Sequence, residues 1–225
     1  MVQQMKLWVF GDSNSLPFNL EHSGQGWPAL LAQRLDADLQ LNAWPAVDNF
    51  FIYQSIRNHW HEISPNDHVV VGWSHTSRKM FRYDKENPRH ENAKNYAIYY
   101  EDSGRSYVRS RGPSTDTLEK YRNLSPRDSG VEFFDTWFRD YYNEYEHQIN
   151  LQSYVDSVNI RLPQTVNFFF SRASTAGMDL GDPNPLCMLD FVLDNRYYIS
   201  EQDCHSNAQG HREWADLLYQ RISNS

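Results

Sequence analysis

"KLWVFGDSNS", Lys6 to Ser15, runs a strand-forming apolar segment into Gly11 and then presents Asp12, Ser13 and Asn14. Lys6–Phe10 reads as a buried first strand, because a short apolar run closed by glycine favours strand over helix. The polar tail has two readings. Gly-Asp-Ser-Asn is good turn chemistry. It is equally the way a serine nucleophile is displayed at a strand end, and that reading requires a base and an oxyanion site elsewhere in the chain.

Working outward, "GWPALLAQRL" predicts a helix, with Pro28 in its first turn and Trp27, Leu30, Leu31 and Leu35 on one stripe. "DLQLNA" predicts a second strand. Asp48 is a candidate N-cap for a helix through "NFFIYQSIRNHWHEI", where Phe51, Ile52, Ile56, Trp60 and Ile63 recur at helical spacing. "HVVVGW" predicts a third strand, buried on both faces. From about 77 to 130 the pattern gives way to an irregular, Tyr- and Arg-rich insertion. "EFFDTWFRDYYNEYEHQINLQSYVDSV" then predicts one long helix, "VNFFF" a fourth strand and "NAQGHREWADLLYQRI" a closing amphipathic helix.

This alternation predicts an α/β fold with a mostly parallel sheet covered on both faces. Ligands in such folds bind beyond the carboxyl ends of the strands. Ser13, Ala46 and Ser74 each follow shortly after a predicted strand and so belong to one rim. With 225 residues and no linker, the chain reads as a single domain, 1–225, carrying the insertion.

Composition narrows the function classes. A formal net charge of -8 argues against nucleic acid as a partner, since phosphate binding rests on cationic surface. Only Cys187 and Cys204 occur, which excludes a disulfide framework or zinc-finger spacing. No signal-peptide pattern and no apolar run of membrane-spanning length are present, so a soluble protein, cytoplasmic or virion/host-associated, is expected. Aromatic residues make up 15% of the chain, enough for a core and for surfaces that stack on sugars.

A serine hydroxyl needs a histidine to take its proton and a third group to orient that histidine. "EQDCHSNAQGH" offers Asp203 and His205 just before the last helix, on a loop able to return to the rim of Ser13. Glu201 is a rival to Asp203, and the bland alternative is a polar helix-capping loop. His59 and His61 in "NHWHE" diverge on a helix, and His205 with His211 lacks a third partner at ligand spacing, so no metal site and no cofactor are expected.

These blocks resemble the SGNH/GDSL hydrolase superfamily. "VFGDSNS" is similar to its first block and "DCHSNAQGHREWA" to its last, while "NAWPAVDN" and "VVVGWSHTSR" fall where the second and third belong. The resemblance implies a three-layer α/β/α sandwich with a flavodoxin-like sheet. It implies an ester hydrolase with Ser13 as nucleophile, His205 as general base and Asp203 fixing the imidazole. The oxyanion donors it implies are the Ser13 N–H, the Ala46 N–H in place of a glycine, and the Ser74 side chain in place of an asparagine.

The implied substrate is a small acyl ester or an acylated glycan. Asn49 and Trp73 are candidate substrate contacts, as are Arg105, Tyr107 and Arg109, which share one face if "GRSYVRSRG" is extended. The alternative is a weakened scaffold acting as a glycan-binding or structural, phage-associated protein. It is motivated by Ala46, Ser74 and the short Asp-x-His spacing.

Overall fold

The computed structural model describes residues 4–17, 23–44, 47–76, 78–83, 100–102, 105–110, 143–182, 184–200 and 203–224. Five strands form the main sheet: β1 (Lys6–Gly11), β2 (Asp38–Ala43), β3 (His68–Trp73), β7 (Thr165–Phe169) and β8 (Leu186–Cys187). They lie in the order β2-β1-β3-β7-β8, and every pairing is parallel. The chain leaves β1 for one side and returns to the other, so β1 and β3 flank the switch point where such sheets open a crevice.

Alternation along the strands divides the core between two faces. Leu7, Val9, Val70 and Phe168 meet Trp27 and Leu31 of α1 (Trp27–Leu35), together with Trp214, Ala215 and Leu218 of α5 (Ala208–Ser223). On the other face Trp8 and Phe10 stack beside His59, the last residue of α2 (Asn49–His59). That layer continues with Leu151, Val155 and Val158, buried from α3 (Glu144–Arg161), and Tyr53 stacks on Tyr154 at 4.7 Å. The three-layer α/β/α architecture expected of an SGNH hydrolase is therefore present. β1 and β3 are buried on both faces, as their unbroken apolar runs predict.

Two local devices fix the sheet. Gly72 of β3 has the Phe168 ring where a side chain would stand, so only glycine lets β3 and β7 pack at this height. At the amino end, buried Asp67 accepts from the Lys6 N–H at 3.0 Å, the Trp8 indole at 3.1 Å and the Ser64 N–H at 2.9 Å. Three donors to one carboxylate offset its burial.

Several elements differ from expectation. β8 has two residues, too few to show a period, and it leads into the short helix α4 (Met188–Asp194). The stretch before α5 is not a loop but a hairpin of β9 (Tyr198–Ser200) and β10 (Asp203–Ser206). The insertion is not irregular throughout: β4 (Lys79–Tyr83), β5 (Tyr100–Asp102) and β6 (Arg105–Ser110) form an antiparallel sheet in the order β4-β6-β5. Its charged and tyrosine-rich strands give no apolar alternation to read. Residues Thr76–His147 make up a second compact unit, and the remainder of the chain is the first. The predicted long helix begins at Glu144 among the described residues, and its expected portion over 132–142 lies outside them. No described helix is long and apolar enough to cross a membrane.

Candidate active site

β1 ends at Gly11, and the chain turns at once into a single 3-10 turn, Ser13–Ser15. Gly11 is required by close approach, since a side chain there would press on Ser15 and on the Gly72 carbonyl of β3. Asp12 caps the turn, accepting from the Asn14 N–H at 2.9 Å and the Asn14 amide at 3.0 Å. The Ser15 N–H reaches the Asp12 carbonyl and the Leu16 N–H reaches the Ser13 carbonyl. Ser13 is thus held at the carboxyl end of β1, at the switch point, with 6% of its surface exposed.

Neighbouring elements tie into this turn. The Trp27 indole donates to the Asn14 carbonyl at 2.8 Å, and the Trp44 N–H donates to the Gly11 carbonyl at 3.1 Å. Ser74, just past β3, donates its hydroxyl to Asp12 Oδ2 at 3.0 Å. The Asn49 amide in turn grips the Ser74 backbone from both sides, accepting its N–H at 2.7 Å and donating to its carbonyl at 3.0 Å. Asp12 is therefore the hub that joins the ends of β1 and β3.

This geometry revises several readings. Trp73 is not a substrate contact: it is 1% exposed, and its indole donates to Asn167 at 2.9 Å inside the fold. Asn49 is buried, and its amide clamps the Ser74 backbone. Ser74 has one hydroxyl hydrogen, and the structure spends it on Asp12. Ala46 lies outside the described residues. Arg105, Tyr107 and Arg109 fall at alternate positions of β6, in the second unit. Asp48 caps α2 as expected, accepting from the Phe51 N–H at 2.8 Å.

His205 is half-buried on β10, and β10 lies against the Ser13 turn. Asp203 pairs with Ser200 and Ser206 with Tyr198, so β10 carries one residue more than β9 over that span. Such a bulge bends its strand and re-aims side chains, and His205 lies within it. Past the bulge, Asn207 caps α5, accepting from the Gly210 N–H at 2.9 Å. Gly210 packs so closely on Ser206 and Tyr197 that a side chain would collide with both.

His211, in the first turn of α5, is weighed in the sequence only as a metal partner and given no role at the site. It is 2% exposed, and its Nδ1 accepts the Trp27 N–H at 3.2 Å. Burial first, and then the neighbouring His205, push its pKa down to about 4, so the ring is neutral. The signal was the histidine after Gly210 at a helix start, which periodicity alone assigns to the core face. Trp44 was also missed. It is 43% exposed beside Gly11 and adds an aromatic surface to this rim.

The Cys187 thiol is pushed up to about 11, chiefly by burial, and stays protonated. Among the described residues no cluster of three His, Cys, Asp or Glu could hold a metal ion. An open cavity of about 450 Å³, lined by Asn159, Asn167, Phe169, Asp182 and Arg221, includes none of the candidate catalytic residues.

Compared as sequence, the chain matches no family model and no curated protein. Compared as structure, it is similar to the psychrotrophic esterase EstA from Pseudoalteromonas sp., in a form inhibited by monoethylphosphonate. The TM-score is 0.51 at 12% identity, over 97% of each chain. A member of the lipolytic protein G-D-S-L family from Veillonella parvula gives 0.47 at 11% identity, over 98% of this chain and 100% of that one. A carbohydrate esterase family 2 enzyme from Corynascus thermopiles gives 0.44 at 12% identity, over 98% and 66%. The first of these establishes a shared fold.

Proposed function

We propose that the protein is an SGNH-type serine ester hydrolase with Ser13 as nucleophile and His205 as general base. The observation that carries this reading is the approach of β10, bearing His205, to the turn that holds Ser13 at the switch point of the sheet. Ser13 Oγ attacks the acyl carbonyl while His205 takes its proton. The imidazolium then returns that proton to the departing alkoxide, leaving an acyl-serine and a free alcohol. Water, deprotonated by His205, attacks the acyl-serine, and the carboxylic acid leaves with Ser13 restored.

Asp203 is assigned the orienting role on its place two residues before His205. With the Ser74 hydroxyl held by Asp12, stabilisation of the oxyanion falls to the backbone N–H groups of Ser13 and Ala46. Each such donor contributes about 2.7–4 kcal/mol in comparable sites. The substrate class is a small acyl ester, with an acylated carbohydrate favoured by the exposed indole of Trp44 at the rim, since indoles stack on the apolar faces of sugars.

A fluorophosphonate probe and a chromogenic acetyl ester test the reading together. The wild-type protein is expected to be labelled and to release acetate, and Ser13→Ala to do neither. Folded wild-type protein that is neither labelled nor active would leave a binding or structural role on the same scaffold.

A further inference from the structure

Trp27 joins the two ends of the candidate catalytic pair through two separate hydrogen bonds. Its indole donates to the carbonyl of Asn14, the residue after Ser13, at 2.8 Å. Its backbone N–H, one of the donors a helix start leaves without an intrahelical partner, goes to His211 Nδ1 at 3.2 Å. His211 stands one helical turn past Asn207, whose carbonyl accepts the His211 N–H at 3.0 Å, and Asn207 lies two residues beyond His205.

We propose that Trp27 and His211 form a positioning strut that sets the distance between the Ser13 turn and the His205 strand. Trp27 is 0% and His211 2% exposed, so both residues of the strut are held inside the fold. The strut is needed because β9 and β10 lie outside the main sheet, and a two-stranded hairpin does not hold its own place. β10 packs against α4, the Ser13 turn and the start of α5, and the His211–Trp27–Asn14 chain ties the start of α5 to the nucleophile turn.

The chemistry of His211 suits this task. Nδ1 accepts from Trp27, so a neutral ring carries its proton on Nε2. A neutral ring beside His205 also adds no positive charge where His205 becomes cationic during proton transfer. His211 touches no reacting atom in this scheme and acts through the placement of His205.

The inference rests on the esterase reading for its kinetic test, and a second measurement does not depend on turnover. Histidine-selective proton–nitrogen spectra of the wild type are expected to show His211 as the Nε2–H tautomer. Trp27→Phe, which keeps the backbone N–H but loses the indole donor, is expected to shift the His205 ring resonances. In turnover, Trp27→Phe and His211→Leu are expected to lower kcat by about ten- to a hundredfold with little change in KM, the cost of a misplaced reacting group. His211→Asn, whose amide oxygen stands near the position of Nδ1, is expected to recover most of that loss. Unmoved His205 resonances in Trp27→Phe, or equal kcat in His211→Leu and His211→Asn, would overturn the strut. Failure of the wild type to label or turn over would overturn the esterase reading alone, and the spectra would still decide the strut.

Discussion

Ser13 sits on a turn gripped by three elements, whereas His205 rides on a hairpin outside the main sheet. The turn is tied to β3 through Asp12 and Ser74, to α1 through Trp27 and to the end of β2 through Trp44. The hairpin meets the rest of the molecule through α4, the Ser13 turn and the capped start of α5. The nucleophile is therefore placed by the sheet itself, and the base by what is attached to the sheet. Changes at the first end should damage stability and chemistry together. Changes at the second should damage chemistry with the fold intact.

The largest expected effect lies at the hairpin. Asp203→Asn keeps size and hydrogen-bonding capacity but loses the charge that holds an imidazole in the productive tautomer, a loss of roughly ten-thousand-fold in triads of this kind. Glu201→Gln should change kcat by much less. Steady-state rates of both variants, with thermal unfolding as a control, sharpen the contrast. Reversed ranking would move the orienting role to Glu201.

The next effect is on stability, through His211. Its pKa falls from 6.5 to about 4 on folding, so the unfolded chain binds a proton that the folded chain does not between those values. Stability attributable to this residue is complete above about pH 6.5, declines as pH falls through that window and is lost below about pH 4. The difference amounts to about 3 kcal/mol. His68, also lowered by burial, acts in the same direction, so the comparison must be against His211→Asn. Urea unfolding at pH 7 and pH 4.5 should show a smaller drop in the variant. Parallel drops would mean that His211 is already protonated in the native protein.

Legibility in the sequence follows the same division. The β1 and β3 runs, the Asp48 cap and the α1 and α5 stripes were readable because a buried strand or helix face must repeat at its own period. Ser13 was readable because glycine at a strand end followed by polar residues has few uses. Two-residue β8 and the bulged β10 carry no period, and the sheet of β4, β5 and β6 is written in charged and tyrosine-rich sequence. Trp73 and Trp44 show the limit most plainly. Trp73 ends β3 and Trp44 comes one residue after β2, yet β3 is interior and β2 an edge, and one indole is buried while the other is exposed.

The smallest expected effect is the most discriminating for the oxyanion site. If the Ser74 hydroxyl stabilised the oxyanion, Ser74→Ala would reduce kcat by about a hundred- to a thousandfold, as loss of one such donor does elsewhere. Held by Asp12, it does a different job. Its removal takes one hydrogen bond from a buried carboxylate that still accepts from the Asn14 N–H and amide, a cost of about 1 kcal/mol in stability. The expected outcome is therefore a modestly lower unfolding midpoint and kcat within about tenfold of wild type, because Asn49 still clamps the residue-74 backbone. A thousandfold loss of kcat at unchanged stability would show that the hydroxyl leaves Asp12 for the substrate during the reaction, and that the β3 end of the site moves between its resting and reacting forms.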